Sequence, residues 1–261
     1  MNFKSPYKLA ILAIVLYSTS MLVYGTIRIF IGERIDAISA FGSVLGGLGT
    51  FYAAFMAFHI YKGWKVQANF ELKKEHVNHL STLLSMGYDE THKISEILLN
   101  LAKIGTHEVL AEKYFNFSAN DLRSEFYKTQ INAKMLDRLN EKEKDIFIYF
   151  AKYQTHFTYL VENFNNIHNK YKIYYQNKLD SMDSLEKLFF ENSGSFWIDQ
   201  STYPNDQEKV MLKNLIFHSV KFQANNHSYK YNNLDEMIKE MSNIYKTLEE
   251  KVLDSIDLKI K

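Results

Sequence analysis

Cysteine is absent from all 261 residues. That excludes disulfides, thiolate metal sites and cysteine nucleophiles. Proline occurs twice and glycine ten times, so few positions break a helix. The net charge of +1 lacks the basic excess of a dedicated nucleic-acid binder, and no direct sequence-specific nucleic-acid binding is expected. No GxxxxGKS/T, GxGxxG or GxSxG motif occurs, and neither does HExxH nor a paired ExxH. The chain therefore reads as a non-enzyme with no cofactor and no metal site. His76 and His79, beside Glu75, and His156 and His168 lack further ligand spacing and read as surface positions.

Charge is also missing locally. Asp, Glu, Lys and Arg are absent from Leu9 to Ile27 and from Ala37 to Tyr61. A bilayer core of roughly 30 Å needs about 20 helical residues, so two spans are expected, Tyr7–Ile27 and Ala37–Tyr61, joined by Arg28–Asp36. A rival reading of the first is a cleaved signal peptide with Lys4 and Lys8 as its basic region. Against it, apolar residues continue through Met21, Leu22, Val23 and Ile27, and Ser18-Thr19-Ser20 is a poor cleavage site. Lys4 and Lys8 precede the spans, and Lys62, Lys65, Lys73 and Lys74 follow them, whereas only Arg28 and Arg34 lie between. The positive-inside rule then puts both termini in the cytoplasm. Tyr7, Tyr24, Tyr61 and Trp64 sit where an aromatic belt would.

The second span differs from a plain anchor. Gly42 and Gly46 form a GxxxG, and Gly49, Ala53 and Ala57 extend the small face. Small residues let two helix backbones approach closely in lipid, where there is no hydrophobic drive to associate. Two readings follow: a self-association or pore-forming face, or packing against the first span within one hairpin. His59, near the cytoplasmic end of the span, is a candidate titratable group or a headgroup contact.

Beyond residue 62 the pattern is helical. Ile146, Phe150, Tyr153, Phe157, Leu160, Phe164, Ile167, Tyr171 and Tyr174 alternate spacings of four and three. This heptad seam predicts one long helix over about Glu141–Leu179. Its aromatic character favours an antiparallel bundle core over a two-stranded coiled coil. A weaker seam, Phe70, Val77, Leu80, Leu84, Ile94, Leu98 and Leu101, is interrupted at Lys73, Gly87 and Thr91. It either continues the second span or follows a kink at Gly63. Ser118 and Asp121 resemble a capping box for Ala119–Leu139. Pro204 suits the first turn of a helix reaching about Phe222, and Leu234, Met237, Met241, Ile244, Leu248 and Val252 mark the last helix. No sustained period-two alternation predicts a sheet. The expected fold is all-α: a transmembrane hairpin (residues 1–62) followed by a cytoplasmic helical domain (63–261).

Two connections stand out as long loops, Glu191–Gln207 and Ala224–Asn233. Long loops in compact domains are often functional. The first holds Phe196-Trp197, a candidate partner-docking pair whose bland alternative is docking onto the protein's own bundle.

The stretch Ala40-Phe41-Gly42-Ser43-Val44-Leu45-Gly46-Gly47-Leu48-Gly49-Thr50, closing in Tyr61-Lys62-Gly63-Trp64-Lys65-Val66-Gln67, resembles the second span of bacterial two-transmembrane proteins found beside retrons and in abortive-infection loci. The resemblance covers about the first quarter of the chain. It implies an inner-membrane toxin, an antiviral defence effector, restrained by a partner protein or nucleoprotein complex until infection. Release would then let the second spans assemble as a homo-oligomer and permeabilise the bilayer. A membrane-anchored scaffold or signalling adaptor is the alternative, and an anchored hydrolase comes third.

Overall fold

Heptad spacing is the feature of the sequence that the backbone follows most closely. The computed structural model describes residues 6–31, 35–140, 145–199, 207–224 and 227–256. It is mostly helical, and it divides into two compact units, Met1–Ala68 and Asn69–Lys261.

The first unit contains α1 (Pro6–Ile31) and the first part of α2 (Ile35–Leu101). Pro6 opens α1, where its missing N–H removes no helical bond. Several hydroxyls in both helices bond the turn before them. Thr19, Ser20 and Thr26 each donate to the carbonyl four residues back at 2.8 Å, and Thr50 donates to Gly46 at 2.9 Å. The outer surface is apolar instead, with Leu22, Ile29, Phe30 and Phe51 all exposed. Among the described residues, the helix Phe41–Gly105 is long and apolar enough to cross a membrane, and Ile14–Phe30 is a shorter apolar helix. α2 runs through Gly63 without a break.

The second unit is built around α5 (Ile146–Ser181). All nine of its seam residues are buried. The seam contacts α4 (Arg123–Leu139) and α8 (Leu234–Asp254), with α7 (Gln207–Phe217) also against α5. Phe126 of α4 sits among Phe150, Tyr153 and Phe157, with ring centroids 5.8, 5.9 and 5.1 Å away. α5 begins five residues after the expected Glu141, and residues 141–144 lie outside the described ones. Its first turn is capped from α4: the Asp137 carboxylate accepts the N–H groups of Ile146 and Phe147, both at 3.0 Å. A carboxylate there satisfies two orphan donors and meets the positive end of the helix dipole.

The interruptions expected in the α2 seam are seam positions. Residues 70, 73, 77, 80, 84, 87, 91, 94, 98 and 101 keep the alternation of three and four throughout. Lys73 Nζ donates to Asn140 Oδ1 at 2.8 Å, and the Thr91 hydroxyl donates to the Gly87 carbonyl at 2.8 Å. Gly87 and Thr91 are both buried.

Four strands correct the expectation of no sheet. β1 (His107–Ala111), which follows a 3-10 turn at Ala102–Gly105, pairs antiparallel with β2 (Ser195–Asp199). β3 (Val220–Ala224) pairs with β4 (His227–Tyr231) in a hairpin. β3 (Val220-Lys221-Phe222-Gln223-Ala224) and β4 (His227-Ser228-Tyr229-Lys230-Tyr231) do alternate, but for only five residues each, so the pattern is not sustained. β1 is buried along nearly its whole length, so it does not alternate at all. The two expected long loops therefore hold β2 and β4. The helix expected to reach Phe222 ends at Phe217, because Val220 and Phe222 belong to β3. Pro204 lies outside the described residues.

Capping chemistry was misplaced as well. α4 starts at Arg123 without a side-chain cap, because Glu90 accepts the Asn120 N–H at 2.8 Å and holds the preceding segment out of the helix. The capping box stands at Asp183 and Glu186, ahead of α6 (Ser184–Ser193). A short helix, α3 (Glu112–Phe115), follows β1 and precedes α4.

Candidate functional site

The small residues of α2 are an open face. A Cβ built on Gly42, Gly46, Gly47 or Gly49 would meet no atom within 4 Å. Ala53 and Ala57 are exposed as well. The ring contact between α1 and α2 lies at Tyr24 and Phe41, 4.8 Å apart. Among the described residues, packing therefore does not fill the glycine face, and a second helix backbone could approach it closely. His59 lies on the same helix, partly exposed. Near it Lys62 Nζ sits 4.7 Å from the Phe58 ring.

Phe196 and Trp197 point to opposite sides of β2, as successive strand residues do. Phe196 is in the core, whereas Trp197 is 38% exposed with Lys103 Nζ 4.9 Å from its ring. The pair thus splits into one packing residue and one surface residue. Trp197 lines a cleft of about 620 Å³ with Glu112, Lys113, Tyr114 and Ser193–Ser195. Ser193-Gly194-Ser195 is a helix end: Gly194 adopts φ +64 and its N–H bonds the Phe190 carbonyl at 2.7 Å. Glycine takes that left-handed conformation without steric cost.

Two buried polar clusters were not foreseen. The first is His156 of α5, which is fully buried. Its Nδ1 lies 2.7 Å from the Lys152 carbonyl, which can only accept, so Nδ1 carries the proton. Nε2 then accepts from the Tyr231 hydroxyl at 2.7 Å. Phe222 and Tyr229 close round the ring at 5.1 and 4.8 Å. Burial lowers the His156 pKa, and burial pushes the Tyr231 hydroxyl up to about 12. Shut off from solvent, this pair clamps the β3–β4 hairpin onto α5. The second is Glu90, 2% exposed, whose oxygens accept from the Asn120 N–H and from its side-chain amide at 2.9 Å. A similar buried tie joins β1 to α5, where the Tyr171 hydroxyl accepts from the Ala111 N–H at 3.0 Å. His168 donates from Nε2 to the Tyr114 carbonyl at 2.7 Å. His156 and His168 are thus core residues, not surface ones.

Among the described residues no group of three or more His, Cys, Asp or Glu side chains could hold a metal ion. Comparison with family models, with curated proteins and with solved structures gives no match.

Proposed function

We propose that this chain is a membrane-anchored effector that acts by association of its second apolar helix, and that its helical domain carries the restraint. One observation carries the reading: Gly42, Gly46 and Gly49 present a face on which an added Cβ would meet none of the described residues within 4 Å. In lipid, such a face associates by close backbone packing. In this reading α1 and α2 cross the inner membrane as a hairpin with both ends cytoplasmic, consistent with the lysines at Lys4, Lys8, Lys62 and Lys65. The helical domain binds a restraining protein or nucleoprotein complex. Its release allows the α2 helices to assemble and depolarise the cell, as the resemblance to retron-type and abortive-infection effectors implies.

Inducible expression with a membrane-potential dye, with and without neighbouring genes, tests this proposal. Depolarisation on expression of the chain alone, suppressed by a neighbouring gene, is the expected result. An unchanged potential in every combination overturns it. Alkaline phosphatase fused after Gly32 should be active, and a fluorescent reporter fused at Lys261 should glow.

A second reading, a membrane-anchored scaffold without pore activity, is favoured by the half-exposed Trp197 beside its cleft. It predicts normal membrane potential and loss of a bound protein when Trp197 is replaced by Ala.

A further inference from the structure

We propose that the cavity between α4, α5 and β3 is a binding site for an uncharged planar nucleobase, taken as the base or its nucleoside. This does not depend on the membrane reading. The cavity has a volume of about 290 Å³, at the small end of ligand sites, which suits one heterocycle and excludes a folded peptide.

The decisive group is Gln154. It is only 7% exposed, it lines the cavity, and among the described residues its amide has no hydrogen-bond partner. The amide opens onto the cavity, where an occupant that offers both an acceptor and a donor would pair with it. Gln130 and Thr158 line the same cavity, and among the described residues their side chains also make no hydrogen bond. A glutamine amide matches the adjacent donor and acceptor on a nucleobase edge in a bidentate pair.

Aromatic rings complete the site. Tyr159 and Phe222 line it and stack on each other at 4.5 Å and 23°. Tyr127, 66% exposed, stands at its edge. Bases stack on such rings whatever their identity. Charge sets the class of ligand. Glu162 is the one charged side chain lining the cavity, and Arg123 Nη1 already pairs with it at 3.1 Å. No lysine or arginine lines the cavity to meet a phosphate, so a base or nucleoside fits and a nucleotide gains nothing.

The test uses the full chain in detergent micelles. Adenosine, guanosine, cytidine and uridine, and their 5′-monophosphates, are titrated by calorimetry and saturation-transfer NMR. At least one nucleoside should saturate with a Kd below about 1 mM, and its monophosphate should bind no more tightly. Gln154→Met should weaken binding at least tenfold without lowering the thermal midpoint, since it removes an unpaired amide while keeping the volume. Tyr127→Ala should weaken it severalfold. If Gln154→Met fails to fold, Thr158→Val carries the same test. The proposal falls if no nucleoside saturates, in which case water satisfies the amide. It also falls if binding survives unchanged in these variants, or if the monophosphate binds tenfold tighter.

Discussion

A Cβ on Gly87 would stand 3.0 Å from Cζ of Phe126 and 3.3 Å from the Tyr153 hydroxyl oxygen. Glycine is therefore what lets α2 lie against the ring cluster of α4 and α5. Alanine at an open helical position gains up to about 1 kcal/mol over glycine, but overpacking costs about 1–3 kcal/mol. Phe126 is fully buried among Phe150, Tyr153 and Phe157 and has little room to give. Gly87→Ala should therefore lower stability by about 1 kcal/mol, and Gly87→Leu by more. Gly63→Ala, where a Cβ meets nothing within 4 Å, should not lower it. Thermal unfolding of the three variants checks the order.

Glu90 fixes the segment between α3 and α4. Glu90→Ala removes two hydrogen bonds from the buried carboxylate to Asn120 and should cost about 1.5–3 kcal/mol. Glu90→Gln should be milder. Its oxygen can still accept the backbone N–H, and a flipped Asn120 amide can pair with the new NH₂ group. Equal losses in both variants would show that the negative charge matters, and Lys93 Nζ at 3.7 Å from Glu90 would then be the partner to test.

Acid should loosen the hairpin. His156 titrates near 6.5 when unfolded, and burial depresses its folded pKa. Lys152 on its own helix lowers it further, while Glu240 of α8 opposes this. Between the two values the unfolded chain holds the extra proton, so stability rises with pH across this window. The contribution is fully present above about 6.5 and is lost as pH falls through the folded value. His168, also lowered by burial, acts in the same sense. Thermal midpoints should fall from pH 7.5 to 5.5. The fall should be shallower in His156→Gln, and shallower still in the double variant with His168→Gln.

What the sequence made legible was local periodicity. The α5 seam reads directly, because every seam residue is apolar and nine in succession keep one spacing. The α2 seam read as broken because Lys73, Gly87 and Thr91 are not apolar. Their suitability depends on what faces them: Asn140 for the lysine, aromatic rings for the missing side chain, and a backbone carbonyl for the hydroxyl. Of the strands, β3 and β4 alternate over five residues, a signal easily passed over, whereas β1 does not alternate at all. His156 was illegible because its partner, Tyr231, lies 75 residues away. The small face of α2 was visible as a pattern, but whether the chain covers it is a fact of the fold.

That fact sharpens the test of Gly46. A Cβ there meets no atom of the described residues within 4 Å, so a leucine has room to start from, and leucine is at home in lipid. Gly46→Leu should therefore insert and accumulate normally. It should nevertheless block close approach of a second helix, because the bulk falls where two backbones must meet. The expected outcome is normal abundance in the membrane fraction, loss of cross-linked α2 dimers, and loss of depolarisation. If abundance drops instead, Gly46 serves packing within one chain and the open face is filled in the membrane by α1. If dimers and depolarisation persist at normal abundance, the small-residue face has no part in the mechanism. The effector reading would then have to rest on another surface of the apolar helices.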